Sequence, residues 1–171
     1  MTVNAEPKTR PILRPLPDAE ILSFLYLEAR LADEGRYSEW EALWANDDDS
    51  VVYRVPMHPD DDPRTTLAYV NDNRRRIKSR VAQLNTGNRH SQTPPSVMRR
   101  VLSNSEVVAE DGDTITVESN FAVFEYRLRQ RSWAGRVTHT VRRTPDGPWL
   151  VRKIVNLIDA GGPVDTLAFL I

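Results

Sequence analysis

The stretch VMRRVLSNSEVVAEDGDTITVESNFAVFEYRLRQ, residues 97–130, decides the fold class of this chain. Its two halves, 97–110 and 114–130, are rich in β-branched and aromatic residues, which favour strands. Asp111-Gly112-Asp113 lies between them and is typical of a hairpin turn, because glycine accepts a positive φ at little cost. The stretch therefore predicts two long antiparallel strands.

The following region repeats this arrangement. Segments 136–144 and 149–158 have strand composition, and Pro145-Asp146-Gly147-Pro148 separates them as a second turn. Four consecutive long strands joined by short turns favour an antiparallel sheet.

The strand at 114–130 is apolar on both faces. An antiparallel sheet with one wet face should be polar at alternate positions, and this one is not. Helices can cover one face, so we expect a further copy or a partner to cover the other. The two sets are Ile115, Val117, Phe121 and Val123 on one face, and Ala122, Phe124, Tyr126 and Leu128 on the opposite face.

Three helices are predicted before this sheet. The first begins after Asp18, a good N-cap, and Gly35 ends it. The second is predicted to open at Ser38, with Glu41 completing a capping box and with Trp40 and Trp44 on an aromatic face. The predicted third helix has an apolar stripe at Leu67, Val70, Ile77, Val81 and Leu84.

The remaining segments complete the predicted architecture. Residues 50–55 predict a strand that ends at Pro56, and residues 1–17, with four prolines, predict an extended N-terminal arm. Residues 18–171 then form a single α+β domain, with the helices packed on one side of a curved, mostly antiparallel sheet. No apolar run resembles a signal peptide or a membrane span, so we expect a cytoplasmic protein with no membrane contact.

Composition excludes several kinds of chemistry. The chain has 171 residues and no cysteine, which excludes disulfides, a thiolate nucleophile, Cys-ligated zinc and a Cys-held iron–sulfur cluster. The net charge of −1 argues against nucleic-acid binding. The charge is nevertheless segregated: residues 18–63 carry 3 basic and 13 acidic side chains, and residues 64–100 carry 9 basic and 1 acidic. We expect these segments to complement each other within the fold or between subunits, with the basic helix and Arg99-Arg100 docking on a neighbour.

The three histidines do not predict a metal site. His58, His90 and His139 lie far apart in sequence, without paired ligand spacing. The acidic run after His58 lacks the glycine and distal glutamate of a calcium loop.

Four polar residues remain candidates for chemistry between the helices and the sheet: Tyr53, Asn120, His139 and Arg74. The residue types favour structural roles over catalytic ones. Tyr53 and Asn120 would then satisfy buried backbone groups, Arg74 would pair with a carboxylate, and His139 would lie at an interface. No paired carboxylates have the spacing of an acid–base dyad.

Several segments together resemble one protein family. They are Phe24–Trp44, Arg80–Gly87 with Thr93–Asn104, Val117–Arg127 and Trp149–Leu157. In this order they resemble the small (beta) subunits of aromatic-ring-hydroxylating dioxygenases, over about residues 18–171.

This resemblance implies a cystatin-like, nuclear-transport-factor-like cone and a non-catalytic structural role. Three small subunits, themselves a homotrimer, would assemble with three large alpha subunits. The alpha subunit would carry the Rieske iron–sulfur cluster and the mononuclear iron, and the complex would dihydroxylate an aromatic ring with O₂ and NAD(P)H. The resemblance transfers no catalytic, cofactor-binding or metal-binding residue to this chain.

Two other functions remain open at this point. A stand-alone cone-fold isomerase, dehydratase or hydrolase would need an enclosed pocket with an ionisable pair among Tyr53, His139 and a carboxylate. A binding or scaffolding domain would hold a small ligand without converting it.

Overall fold

The computed structural model describes residues 12–47, 49–62, 64–87, 95–162, 167 and 169–171. Most of the predicted arm (residues 1–11), Asp48, His90, and Thr93 with Pro94 lie outside these described residues. The arm residues 12–17 belong to no helix or strand, and the backbone carbonyl of Pro15 accepts a hydrogen bond from Val107 (2.8 Å).

Three helices precede or interrupt the sheet: α1 (Ala19–Asp33), α2 (Tyr37–Ala42) and α3 (Arg74–Asn85). The predicted N-cap of α1 is confirmed, since Asp18 accepts a hydrogen bond from the Ile21 backbone N–H at 2.9 Å. Gly35 follows α1 with φ of +68° and ends it as predicted.

Six strands form one sheet with the order β2-β1-β6-β5-β4-β3. Only β1 and β6 run parallel among the pairs of this sheet, so the predicted α+β class and mostly antiparallel sheet are confirmed. The strands are β1 (Val52–Pro56), β2 (Ala68–Asp72), β3 (Val97–Asp111), β4 (Thr114–Tyr126), β5 (Gln130–Thr144) and β6 (Gly147–Leu157).

The predicted third helix is too long at its N-terminal end. Its first turns are strand β2, in which Val70 pairs with Val55 of β1, and Leu67 is 81% exposed. The helix begins after Asn73, whose side chain accepts from the Arg76 backbone N–H (3.0 Å). Two apolar residues are too few to define a period, and the pairing with β1 makes this stretch a strand.

The predicted capping box of the second helix is wrong. The helix begins at Tyr37, and Ser38 does not cap it. Glu41 instead binds Arg74 of α3 at 2.9 Å, so its carboxylate is not the partner of a helix-terminal N–H. Trp40 and Trp44 are fully buried and both contact Tyr53 edge-on or tilted. Only Trp40 belongs to α2, since the helix ends at Ala42 and Trp44 pairs with Leu150 beyond it.

The two faces of the sheet differ in exposure. The helix-side face is buried through Ile115, Val117, Phe121 and Val123 of β4. On the opposite face Phe124 is 43% exposed, Tyr126 61% and Ile158 80%. This outer apolar face is therefore left uncovered by the described residues of the chain itself.

Several of the segregated charges form ion pairs within the chain. Arg100 is buried and binds Asp33 of α1 at 2.7 Å, and Arg80 binds Asp72 at 2.5 Å. The Arg100–Asp33 and Arg74–Glu41 pairs join the basic segment to the acidic one, whereas Arg80 and Asp72 both lie within the basic segment. The prediction that Arg100 docks on a neighbouring subunit is therefore wrong, because its guanidinium is buried and bonded to Asp33 within the chain. Arg75, by contrast, is exposed.

Candidate functional site

A row of side chains crosses the inner face of the sheet through adjacent strands. Cα pairing places Tyr53 of β1 opposite Lys153 of β6, Lys153 opposite His139 of β5, and His139 opposite Val117 of β4. Residues that pair across neighbouring strands point to the same face. The sheet topology therefore brings a phenol, an amine and an imidazole together inside the cone.

Glu28 of α1 reaches this row from the helix layer. Its Oε1 accepts hydrogen bonds from Lys153 Nζ at 2.8 Å and from the Trp40 indole N–H at 2.6 Å. Its Oε2 lies 3.8 Å from His139 Nε2. All four side chains are at most 2% exposed, so the cluster is shielded from solvent.

Arg100 and Tyr53 form further hydrogen bonds in the interior beside this cluster. Arg100 donates to Asp33 and, at 2.7 Å, to the backbone carbonyl of Leu170. The Tyr53 hydroxyl donates to the carbonyl of Ile171 and accepts from its N–H, each at 3.0 Å. Residues 169–171 are buried, and these bonds hold them across the interior.

Burial and neighbouring charges set the protonation states of the cluster. Burial alone would raise the pKa of Glu28, but the ammonium group of Lys153 and the guanidinium of Arg100 lower it to about 2. Burial lowers the pKa of His139 to about 4, although Glu28 opposes this change. Burial likewise lowers the pKa of Lys153 and raises the pKa of Tyr53 to about 12. At neutral pH the imidazole and the phenol are therefore both uncharged.

The space enclosed by these groups is small. The cavity has a volume of about 10 Å³ and is lined by Glu28, Arg100, His139, Lys153 and apolar side chains that include Phe121. A volume of this size holds about one water molecule. An organic substrate, whose sites usually measure hundreds of Å³, does not fit beside the ionisable groups.

The structure unites only two of the four candidate residues. Tyr53 and His139 lie in the interior, and the predicted structural role of Tyr53 towards backbone groups is confirmed. Arg74 lies at the start of α3, where it pairs with a carboxylate as predicted. Asn120 is exposed on the outer face of β4, and His139 lies in the core, so the structural roles predicted for both are wrong.

Sequence reasoning missed Glu28 and Lys153, although both leave a signal. Glu28 lies seven residues after Ile21, within the apolar stripe of α1, and Lys153 takes an inward position of β6 between apolar residues. A charged residue in an apolar position of a periodic pattern indicates a buried partner of opposite charge.

The two iron cofactors that the resemblance assigns to the large subunit can be compared with the residues of this chain. A Rieske cluster needs two cysteines, and this sequence has none. Within the described ranges no three His, Asp or Glu side chains are grouped so that they could hold a metal ion. The helices of those ranges also include none that is long and apolar enough to cross a membrane.

Comparison with known families and sequences gives a consistent result. Residues 27–160 match the family model described as "Ring hydroxylating beta subunit". The beta subunit of 3-phenylpropionate/cinnamic acid dioxygenase from Photorhabdus laumondii is 30% identical, over 90% of this chain and 88% of that protein. The small oxygenase component of the p-cumate 2,3-dioxygenase system from Pseudomonas putida is also 30% identical, over 79% of this chain and 76% of that protein.

Solved structures share the fold. The beta subunit of benzoate 1,2-dioxygenase from Burkholderia mallei superposes with a TM-score of 0.74 and 24% identity, covering 92% of this chain and all of that one. An NTF2-like protein with a cystatin-like fold from Novosphingobium aromaticivorans gives a TM-score of 0.56 and 23% identity, covering 82% and 80% of the two chains. The predicted cystatin-like architecture is therefore confirmed.

Proposed function

Because this chain belongs to the ring hydroxylating beta subunit family, we propose that it acts in its complex as a structural subunit without catalytic residues of its own. It is the beta subunit of an aromatic-ring-hydroxylating dioxygenase, and so a component of an oxidoreductase. The aromatic ring would be oxidised in the partner large subunit.

The small interior cavity carries the non-catalytic part of this proposal. Its ionisable groups, Glu28, His139 and Lys153, are bonded or packed in the core, and the space beside them admits about one water. A stand-alone isomerase, dehydratase or hydrolase would require substrate contact with such a group. The filled interior argues against that alternative and against a domain that binds a small ligand inside the cone.

Cofactor chemistry is assigned to the large subunit for a compositional reason. This chain has no cysteine to hold a Rieske cluster, so we assign the cluster to the alpha subunit. The proposal assigns the mononuclear iron to the alpha subunit as well, as the resemblance implies. We also propose a cytoplasmic complex, since the reaction would draw its electrons from NAD(P)H. We further propose an N-terminal arm, residues 1–17, followed by a single domain, residues 18–171.

The outer apolar face supports assembly into an oligomer. Phe124, Tyr126 and Ile158 expose apolar area on one side of the sheet, where a neighbouring subunit would gain stability by covering it. We assign this face to contacts among three beta subunits, which bind three alpha subunits. Exposed charges such as Arg75 and Arg76 of α3 would then contribute to docking of the large subunit.

Co-expression tests this assembly. The chain is produced with a large subunit that carries the Rieske pattern Cys-x-His…Cys-x-x-His, and the tagged large subunit is purified at low and high salt. We expect the two chains to co-purify as a hetero-oligomer of equal stoichiometry. A beta chain that stays monomeric and unbound at every salt concentration would contradict the proposal.

Two variants distinguish weaker association through the outer face from general destabilisation of the fold. Phe124→Ser with Tyr126→Ser should weaken association of the beta subunits while preserving the far-ultraviolet circular dichroism. Thr138→Ser, on β5, serves as a control that should assemble normally.

A further inference from the structure

The imidazole of His139 is buried without a hydrogen-bond partner in the described part of the protein. Neither Nδ1 nor Nε2 has a donor or acceptor within bonding distance, and the residue is only 1% exposed. The nearest carboxylate oxygen, Glu28 Oε2, is 3.8 Å from Nε2, which is too far for a direct hydrogen bond. A buried polar group in this state is costly and needs a physical explanation.

His139 lines the small cavity together with Glu28, Arg100 and Lys153. The volume of about 10 Å³ matches a single water molecule. Buried waters in proteins typically make two to four hydrogen bonds to polar groups that would otherwise stay unsatisfied. The cavity thus offers both the space and the polar partners that such a water requires.

We propose that this cavity is a buried hydration site, in which one water molecule bridges the His139 imidazole and the Glu28 carboxylate. The water accepts the Nε2–H of His139 and donates a hydrogen to Glu28 Oε2. Glu28 is then bonded on both oxygens, since Lys153 and Trp40 already occupy Oε1. The site concerns the core of this chain and stands apart from the proposed assembly.

The local charges favour a neutral ligand over an ion. Glu28 is balanced by Lys153 at 2.8 Å, and Arg100 is balanced by Asp33 at 2.7 Å. A chloride or ammonium ion would add an uncompensated charge to this buried group, which is expensive. Water adds none and supplies both a donor and an acceptor.

The sign of one stability change tests the proposal. At pH 8 the imidazole is neutral in the folded and the unfolded chain, so protonation does not contribute. If the cavity is dry, His139→Leu removes two unsatisfied polar atoms and should raise Tm. If the water is present, the same variant removes its bridge to Glu28, and we expect Tm to fall by about 3 °C or more. His139→Gln, which keeps a polar group towards the cavity, should lose less.

Measurements on the unaltered chain test the same site without any effect of leucine packing. Water–protein NMR cross-relaxation should show a long-lived water at the His139 ring N–H. A crystal structure should show one density peak between Nε2 and Oε2, and crystals soaked in bromide should show no anomalous peak there. An empty cavity, a bromide peak or a higher Tm of His139→Leu would each overturn the proposal.

Discussion

Lys153 Nζ lies 2.8 Å from Glu28 Oε1, so the middle of β6 and the centre of α1 are joined by an ion pair inside the cone. Both side chains are at most 3% exposed. Such a pair contributes little net stability when intact, because desolvation offsets the attraction, but it is costly to break. It therefore fixes how the helix sits on the sheet more than it strengthens the fold.

Removing one partner of this pair should be far worse than removing both. Lys153→Met leaves the Glu28 carboxylate buried without its cation, and we expect the free energy of unfolding to drop by about 3–5 kcal/mol. The double variant Lys153→Met, Glu28→Gln should recover much of that loss. Urea denaturation of the unaltered chain, of the single variants Lys153→Met and Glu28→Gln, and of the double variant measures the coupling; additive single effects would show that the pair is not coupled.

The protein should lose stability on mild acidification because of His139. Its pKa is about 4 in the folded state and 6.5 in the unfolded chain. Between these values the unfolded chain binds more protons, so stability falls as the pH drops from 6.5 to 4. The loss amounts to up to about 3 kcal/mol. Glu28, with a pKa of about 2 against 4.5, adds a further loss between pH 4.5 and 2.

Thermal unfolding from pH 8 to pH 4 checks the contribution of His139. In His139→Leu the part of the decline between pH 6.5 and 4 should disappear, while the decline below 4.5 remains. Identical pH profiles of the two chains would show that His139 is not responsible.

The hydroxyl of Tyr53 should stabilise the packing of residues 169–171. Tyr53→Phe removes both hydrogen bonds to Ile171 and leaves its N–H and carbonyl buried without this partner. We expect a loss of about 1–3 kcal/mol in the free energy of unfolding. Tyr26→Phe, at a residue that is 52% exposed, is the control and should change little. Equal effects of the two changes in urea denaturation would refute the assignment.

Gly135 is required by the close approach of β5 and β6. A Cβ at this position would lie 2.0 Å from the carbonyl oxygen of Asn156, a backbone atom that cannot move aside alone. Gly135→Ala should therefore lower the free energy of unfolding by more than about 2 kcal/mol or prevent soluble expression. At Gly112 nothing lies within 4 Å, so Gly112→Ala carries only the strain of its positive φ and should be milder. A milder effect at Gly135 would contradict the crowding argument.

Substitution of exposed arginines should affect assembly, whereas substitution of a buried arginine should affect folding. Arg75→Gln with Arg76→Gln should keep Tm of the isolated chain and weaken binding to the large subunit most at low salt, where charges are least screened. Arg100→Gln should instead lower Tm, because it leaves Asp33 buried without its cation. Size-exclusion chromatography at several salt concentrations, with thermal unfolding of each chain, checks both. Unchanged salt dependence in the double variant would exclude these arginines from docking.

Local patterns in the sequence predicted most of the fold. The two hairpin turns, the N-cap Asp18 and the stop at Gly35 depend on neighbouring residues only, and all are found in the structure. The errors arise where distant contacts decide. Residues 68–72 form a strand because β1 lies beside them. In the predicted capping box, Ser38 lies inside α2, which begins at Tyr37, and Glu41 binds the distant Arg74.

The candidate site was predicted only in part. Tyr53 and His139 could be selected from their residue types, but nothing local distinguished them from Asn120 and Arg74. Glu28, Arg100 and Lys153 are separated by 125 residues between the first and the last, and only the packing of α1 on β3 and β6 brings them together. A pattern within one segment cannot predict a contact between residues so far apart in sequence.

By itself the sequence determined the α+β class, the absence of cysteine chemistry and the segregation of charge, because composition and short-range periodicity are properties of the chain before it folds. The tertiary structure alone decided that Arg100 serves the core and not a neighbour, and that a buried Glu–Lys–His cluster leaves room for little more than one water. Both outcomes depend on which strands pair and which side chains lose contact with solvent. Burial, unlike periodicity, is a property of the whole fold.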